Sequence, residues 1–146
     1  MTVTQPLGQP GGRPTGYSRI PRYNDDADTT RSIERENESA IILANAGYNV
    51  EQNPTVSGDK NPDYRIEGRI FDCYAPSTKN FRNIIETIRG KVDRRQASRI
   101  ILNLADSQVS QRKLTRQLRE SPIVDLEEII IITQDSLIIP FFPFED

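Results

Sequence analysis

The chain has no histidine, no tryptophan, one cysteine and one methionine in 146 residues. Without histidine, Ser-His-Asp triads, Cys-His pairs and imidazole-based RNA cleavage are excluded. A lone Cys73 excludes a disulfide framework, and with no histidine beside it the usual structural zinc sites are excluded as well. No run of roughly 18 apolar residues exists, so no membrane span is expected. The first residues carry no apolar stretch behind a positive charge, and no signal peptide is expected in them. Any hydrolysis must therefore run on carboxylates, lysine and a metal ion.

What remains is a globular but lean composition, 35% apolar, with room for one domain whose core folds unaided. The net charge of −2 conceals an asymmetry. Between Lys79 and Arg119 eleven lysines and arginines face three acids, a net +8, and the remainder of the chain carries −10. A basic block beside an acidic remainder suggests a polyanion-binding face, nucleic acid above all. A solvated helix surface is the plainer alternative.

Residues 1–29 are rich in Pro, Gly, Thr and Gln, show no periodicity and close on Asp25-Asp26-Ala27-Asp28, so they are expected as a flexible lead to a domain at 30–146. A helix is predicted from Thr30 to Ala46, ending at Gly47, with Ile33, Ala40, Leu43 and Ala44 on the inward stripe. Glu36 falls on that same stripe, where a carboxylate is costly without a partner. Further elements are a strand at Tyr48–Glu51, a turn-rich loop through Ser57-Gly58-Asp59, a hairpin, and a helix from Lys79 to Val92. A strand at Ser98–Leu104, a helix at Val109–Arg119, and strands at Ile129–Ile132 and Leu137–Ile139 follow, the last stopped by Pro140. The order α-β-β-β-α-β-α-β-β predicts an α/β sandwich, a mixed central sheet flanked by helices. Phe141-Phe142-Pro143-Phe144 is expected to close the core.

The hairpin, Asn61 to Pro76, carries the chemistry. With Glu67-Gly68 as a two-residue turn, Ile66 pairs with Arg69, and counting outward sets Asp63 opposite Asp72. Opposed residues share a face with Cβ atoms about 5 Å apart, so two like charges there call for something positive between them. A divalent metal held by Asp63 and Asp72 is the expected answer, with Glu36 before them and Lys91 after them on inward helix faces. Oxygen ligands alone favour Mg²⁺ or Mn²⁺ over Zn²⁺. Plainer roles exist: Asp63 could cap a turn, and Asp72 could pair with Arg65. Lys79 rivals Lys91, being nearer in sequence but at a helix start. Cys73 shares the opposite face with Phe71 and is expected in the core, and Tyr74 shares a face with Asp72.

Glu36 on the first helix, Pro62-Asp63, then Asp72 on the next strand resembles the order of the PD-(D/E)XK nuclease superfamily. More narrowly, Arg35-Glu36-Asn37, Leu43-Ala44…Gly47-Tyr48, Asn61-Pro62-Asp63-Tyr64 and Ile70-Phe71-Asp72-Cys73-Tyr74-Ala75-Pro76 resemble the C-terminal tRNA nuclease toxins of contact-dependent growth inhibition (CdiA) proteins. The likeness covers residues 31–143. It implies a PD-(D/E)XK-like fold and a metal-dependent ribonuclease that cleaves tRNA, acts in the cytoplasm of a target cell and is inhibited by a cognate immunity protein. The superfamily's lysine stands two residues past the second acid, which is Tyr74 here; the toxin branch takes it from the following helix, where Lys91 stands. Arg94, Arg95, Arg112, Arg116 and Arg119 are expected to grip phosphates. A DNA endonuclease of the same fold and a non-catalytic binding member are the alternatives.

Overall fold

Seven strands and three helices make up the described residues, 3–58 and 60–145, of the computed structural model. Asp59 of the expected turn, both ends of the chain and their part in the expected domain limits lie outside them. The strands are β1 (Thr15–Gly16), β2 (Val50–Gln52), β3 (Tyr64–Ile66), β4 (Arg69–Tyr74), β5 (Arg99–Asn103), β6 (Glu128–Ile132) and β7 (Ile138–Phe142). The helices are α1 (Ala27–Asn45), α2 (Phe81–Asp93) and α3 (Gln111–Glu120). The strands lie in one sheet in chain order. β1–β2, β4–β5 and β5–β6 are parallel; the other pairs are antiparallel. The predicted mixed α/β sandwich is therefore the fold found.

The layers follow from alternation along the central strands. Ile100, Leu102, Ile129 and Ile131 face a core shared with α2 and α3. Ile101, Ile130 and Ile132 face a second core with Ala40, Leu43 and Ala44 of α1. β5 and β6, buried on both faces, thus read as uninterrupted apolar runs in the sequence. Each fully buried isoleucine contributes about 2 kcal/mol of transfer free energy. No helix among the described residues is long and apolar enough to cross a membrane.

Element ends are set by caps. Asp26 accepts from the Thr29 N–H, so α1 begins three residues before the predicted Thr30. Asn80 caps α2 through the Asn83 N–H, which moves its start past Lys79. β7 runs through Pro140 rather than stopping there; it is an edge strand, where a missing N–H costs little. Phe144 packs edge-on against Phe141 and Phe142 and closes the α2–α3 core, as expected.

The lead differs from the expectation of a segment apart from the domain. Thr4 is buried, donating through its N–H and Oγ1 to the Glu128 carboxylate at 2.8 and 2.7 Å. The Leu7 N–H bonds Glu67 and the Gly8 N–H bonds the Gly47 carbonyl. Residues 15–16 then add a parallel edge strand, where a Cβ on Gly16 would meet the Gln52 carbonyl at 2.2 Å. Docking depends on an open sheet edge and a buried glutamate 124 residues away, which no local pattern encodes.

Glu128 is fully buried and also pairs with Arg99. Replacing it by alanine removes the carboxylate that Arg99 and Thr4 share. We expect Glu128→Ala to destabilise the fold by about 3 kcal/mol, read as a lower urea midpoint.

Candidate active site

The turn of the β3–β4 hairpin is Glu67 (φ +49°) and Gly68 (φ +80°), a left-handed pair that suits the strands' twist. It sets Ile66 opposite Arg69 and Tyr64 opposite Phe71. One step further out stand Asp63 and Asp72, opposed as expected but just beyond the last ladder pair. Their side chains continue the pairing. The Asp63 N–H donates to Asp72 Oδ1 at 3.3 Å, and the Cys73 N–H donates to Asp63 Oδ2 at 2.8 Å. Each carboxylate is thereby fixed against strand backbone rather than left on a loop. Asp63 therefore does more than cap a turn, and Arg65 pairs with Glu51 at 2.8 Å instead of Asp72.

Glu36 reaches the same place from α1. Tyr64, fully buried on β3, donates its hydroxyl to the Glu36 carbonyl, which fixes this turn of α1 over the hairpin. Asn103 and Asp106 hold α1 further along, through Ser39 and through Arg31 and Arg35. Glu36 is 7% exposed, and its Oε2 is buried without a hydrogen bond. The Arg19 Nε stands 3.5 Å from that oxygen.

Charges around the site explain its protonation. Burial, then the field of Asp63, raises the Glu36 carboxyl to about 8. Burial and Asp63 likewise push Asp72 up to about 6, with Lys91 pulling the other way. Asp63 is raised by burial, against the Cys73 N–H, Arg19 and Lys91. Lys91 stands at the inner edge of α2, its Nζ 5.9 Å from the centre of the Tyr74 ring. Its charge acts on both aspartates, whereas Lys79 is exposed ahead of the α2 cap. The structure thus brings together Glu36, Asp63, Asp72 and Lys91. Cys73 packs in the α1-side core, and burial pushes its thiol up to about 12, so it is no nucleophile.

Arg94 and Arg95, just past α2, line a cleft of about 370 Å³ with Lys60, Asn61, Gln96 and Asp72. They stand beside the carboxylates. Arg112, Arg116 and Arg119 do not: they are exposed on α3, which packs on α2, and Arg119 lies 4.7 Å over the Phe144 ring. Sequence reasoning missed Arg19. Its Nη2 is 3.3 Å from Asp63 Oδ1 and its Nε 3.5 Å from Glu36 Oε2. Nothing periodic in the lead marks that position. Asn37, which holds the Arg19 backbone, was marked only within the Arg35-Glu36-Asn37 motif and not for this contact.

The three carboxylates offer oxygen donors only, buried or part-buried and mutually repelling, which is the donor chemistry of a hard divalent cation rather than of zinc. Among the described residues no group of three or more His, Cys, Asp or Glu is placed to hold a metal ion as it stands, and Arg19 supplies the positive charge between Glu36 and Asp63.

The family model for the contact-dependent growth inhibition CdiA C-terminal domain matches residues 60–138. The chain is 51% identical over 125 residues to the tRNA nuclease CdiA-2 of Burkholderia pseudomallei (strain 1026b), a match covering 86% of this chain and 4% of that protein's length. It is similar in structure to a chain of the CdiA-CT/CdiI toxin and immunity complex from Burkholderia pseudomallei, with a TM-score of 0.83 and 48% identity. That match covers 87% of this chain and 96% of the other.

The raised carboxyls fix the pH dependence of stability. The folded state keeps protons on Glu36 that the unfolded chain releases near 4.5, so this stabilisation is complete below that pH and is lost as pH rises through about 8. Asp72 acts in the same sense between 3.8 and about 6. In EDTA, the melting temperature of Glu36→Gln should therefore gain on wild type as pH rises from about 5 to about 8.5, measured by circular dichroism.

Proposed function

Since this chain belongs to the family of contact-dependent growth inhibition CdiA C-terminal domains, we propose that it is a metal-dependent tRNA nuclease of the toxin type, restrained by a cognate immunity protein. The observation that carries the reading is the buried group of Glu36, Asp63 and Asp72 with Lys91 beside it, opening on a basic cleft. The order of these acids on helix, strand start and next strand supports a PD-(D/E)XK-type site whose lysine is supplied by α2. A tRNA substrate places the action in the cytoplasm, that of a target cell for a delivered toxin.

Asp63 and Asp72 would hold the ion, Mg²⁺ or Mn²⁺ by their oxygen chemistry, with Glu36 completing its shell. Bound there, such an ion supplies Lewis acidity toward a phosphoryl oxygen and a more acidic water. The protein's own groups do the rest. The strand backbone fixes the spacing of the two aspartates through the Asp63 and Cys73 N–H groups, so no reorganisation is required as charge develops. Glu36, buried and ion-paired with Arg19 at 3.5 Å in the cation-free state, would orient the attacking water and, ionised once the cation is bound, accept its proton. Lys91, already in the field of both aspartates, faces the negative charge that builds on the phosphoryl oxygens. Arg94 and Arg95 hold a neighbouring phosphate in the cleft at Asp72. Arg112, Arg116 and Arg119 would extend the polyanion surface along α3.

Purified protein incubated with total RNA and with plasmid, in Mg²⁺, Mn²⁺ or EDTA, tests this reading. tRNA should be cut only with the cation present. Asp72→Asn and Lys91→Met should each lose about a hundredfold or more in rate, while Lys79→Met stays near wild type. Cleavage in EDTA would overturn the metal dependence, and cleavage of plasmid alone would overturn the substrate. Binding of tRNA should weaken steeply with salt, and replacing Arg94 and Arg95 together by alanine should lower the log–log slope by about two.

A further inference from the structure

Arg19 holds Glu36 and Asp63 more loosely than Arg31 and Arg35 hold Asp106. Arg35 grips Asp106 through two nitrogens at 2.9 Å each, and Arg31 adds a third contact at 2.9 Å. These are close, forked ion pairs of the structural kind. Arg19 makes one contact to each of two different carboxylates, at 3.3 and 3.5 Å. Its side chain is 43% exposed, whereas those of the two acids are 14% and 9% exposed. The guanidinium lies at the mouth of the site with its outer side in water.

The backbone beneath it is clamped. Asn37, the residue after Glu36 on α1, accepts from the Arg19 N–H at 3.1 Å and donates to the Arg19 carbonyl at 2.7 Å. Gln52 steadies the Asn37 side chain, and the Gln52 carbonyl accepts from the Tyr17 N–H. Downstream, Arg22 and Asp25 close a turn before α1 begins. The half-exposed side chain can swing outward with these backbone bonds kept. A cation reaching Glu36 Oε2 and Asp63 Oδ1 would meet the guanidinium bound to those same two atoms. Two positive ions cannot share them at that distance.

We propose that Arg19 is a built-in counter-ion of the carboxylate site, which a divalent cation must displace before it can use Glu36 and Asp63. The proposal rests on reading these acids as a cation site. It adds that the cation-free protein is closed by a residue of its own lead, so that cation affinity is set by competition. Arg19 is in this sense a positioning residue, acting through the acids that it releases.

The test is Mn²⁺ binding to the complete chain without RNA, by calorimetry and by electron paramagnetic resonance of the free ion, with circular dichroism melts of every variant. Asp63→Asn locates the ion by abolishing or greatly weakening binding. Arg19→Ala should bind Mn²⁺ about tenfold more tightly than wild type, with Arg19→Gln giving the same result if the alanine variant folds poorly. Arg19→Lys, which keeps the charge without the fork, should fall between them. Methylguanidinium added to Arg19→Ala should weaken Mn²⁺ binding competitively and leave wild type unchanged. Unchanged or weaker binding in both Arg19→Ala and Arg19→Gln, with binding lost in Asp63→Asn, overturns the counter-ion role and leaves the cation site standing. No Mn²⁺ binding in wild type or in any Arg19 variant overturns both.

Discussion

Two aspartates held face to face where a hairpin ladder ends create a repulsion that the rest of the site is arranged to offset. Main-chain N–H groups of Asp63 and Cys73 each meet one carboxylate. Lys91 approaches from α2 and Arg19 from the lead, so positive charge arrives from both sides in sequence. Glu36 adds a further negative group from α1 and raises the demand again. A sheet built for stability alone would not place three acids there, because like charges at that spacing cost more than any packing that they provide.

The two-faced sheet makes the arrangement possible. α1 covers one face and α2 and α3 the other, and the carboxylate pair stands where β3 gives out while β4 runs on to Tyr74. At that step residues from both helical layers converge: Glu36 from one and Lys91 from the other. The α1 side is fixed by the Tyr64 hydroxyl on the Glu36 carbonyl, so a single buried side chain couples hairpin register to helix position.

The hairpin register was legible because Glu67-Gly68 admits one tight turn, and that turn dictates every pairing outward to Asp63 and Asp72. Glu36 and Lys91 were legible because helical spacing assigns each to an inward face beside Ile33 or Ile88. Arg19 was not. It stands in a Pro- and Gly-rich stretch without periodicity, and its place follows from an open sheet edge and from Asn37, whose motif says nothing of a contact to the lead. The α3 arginines show the converse. Their charge was plain in the sequence, yet charge alone does not say which cleft a residue adjoins, and the arginines at Asp72 are Arg94 and Arg95. Pro140 misled in a third way, since an edge strand accepts a proline that a central one would not.

The lead is held by contacts distant in sequence, Thr4 to Glu128 across 124 residues and Arg19 to Asp63 across 44 among them. Loop-closure entropy opposes such contacts until the elements that receive them exist. Thr4 needs β6 in place, Gly16 needs β2, and Arg19 needs α1 already seated on the hairpin. Loop-closure entropy therefore favours condensation of both cores before the lead closes over them. Between those two events the carboxylates exist without their arginine, and a chain folding in the presence of free divalent ions meets them at that moment unguarded.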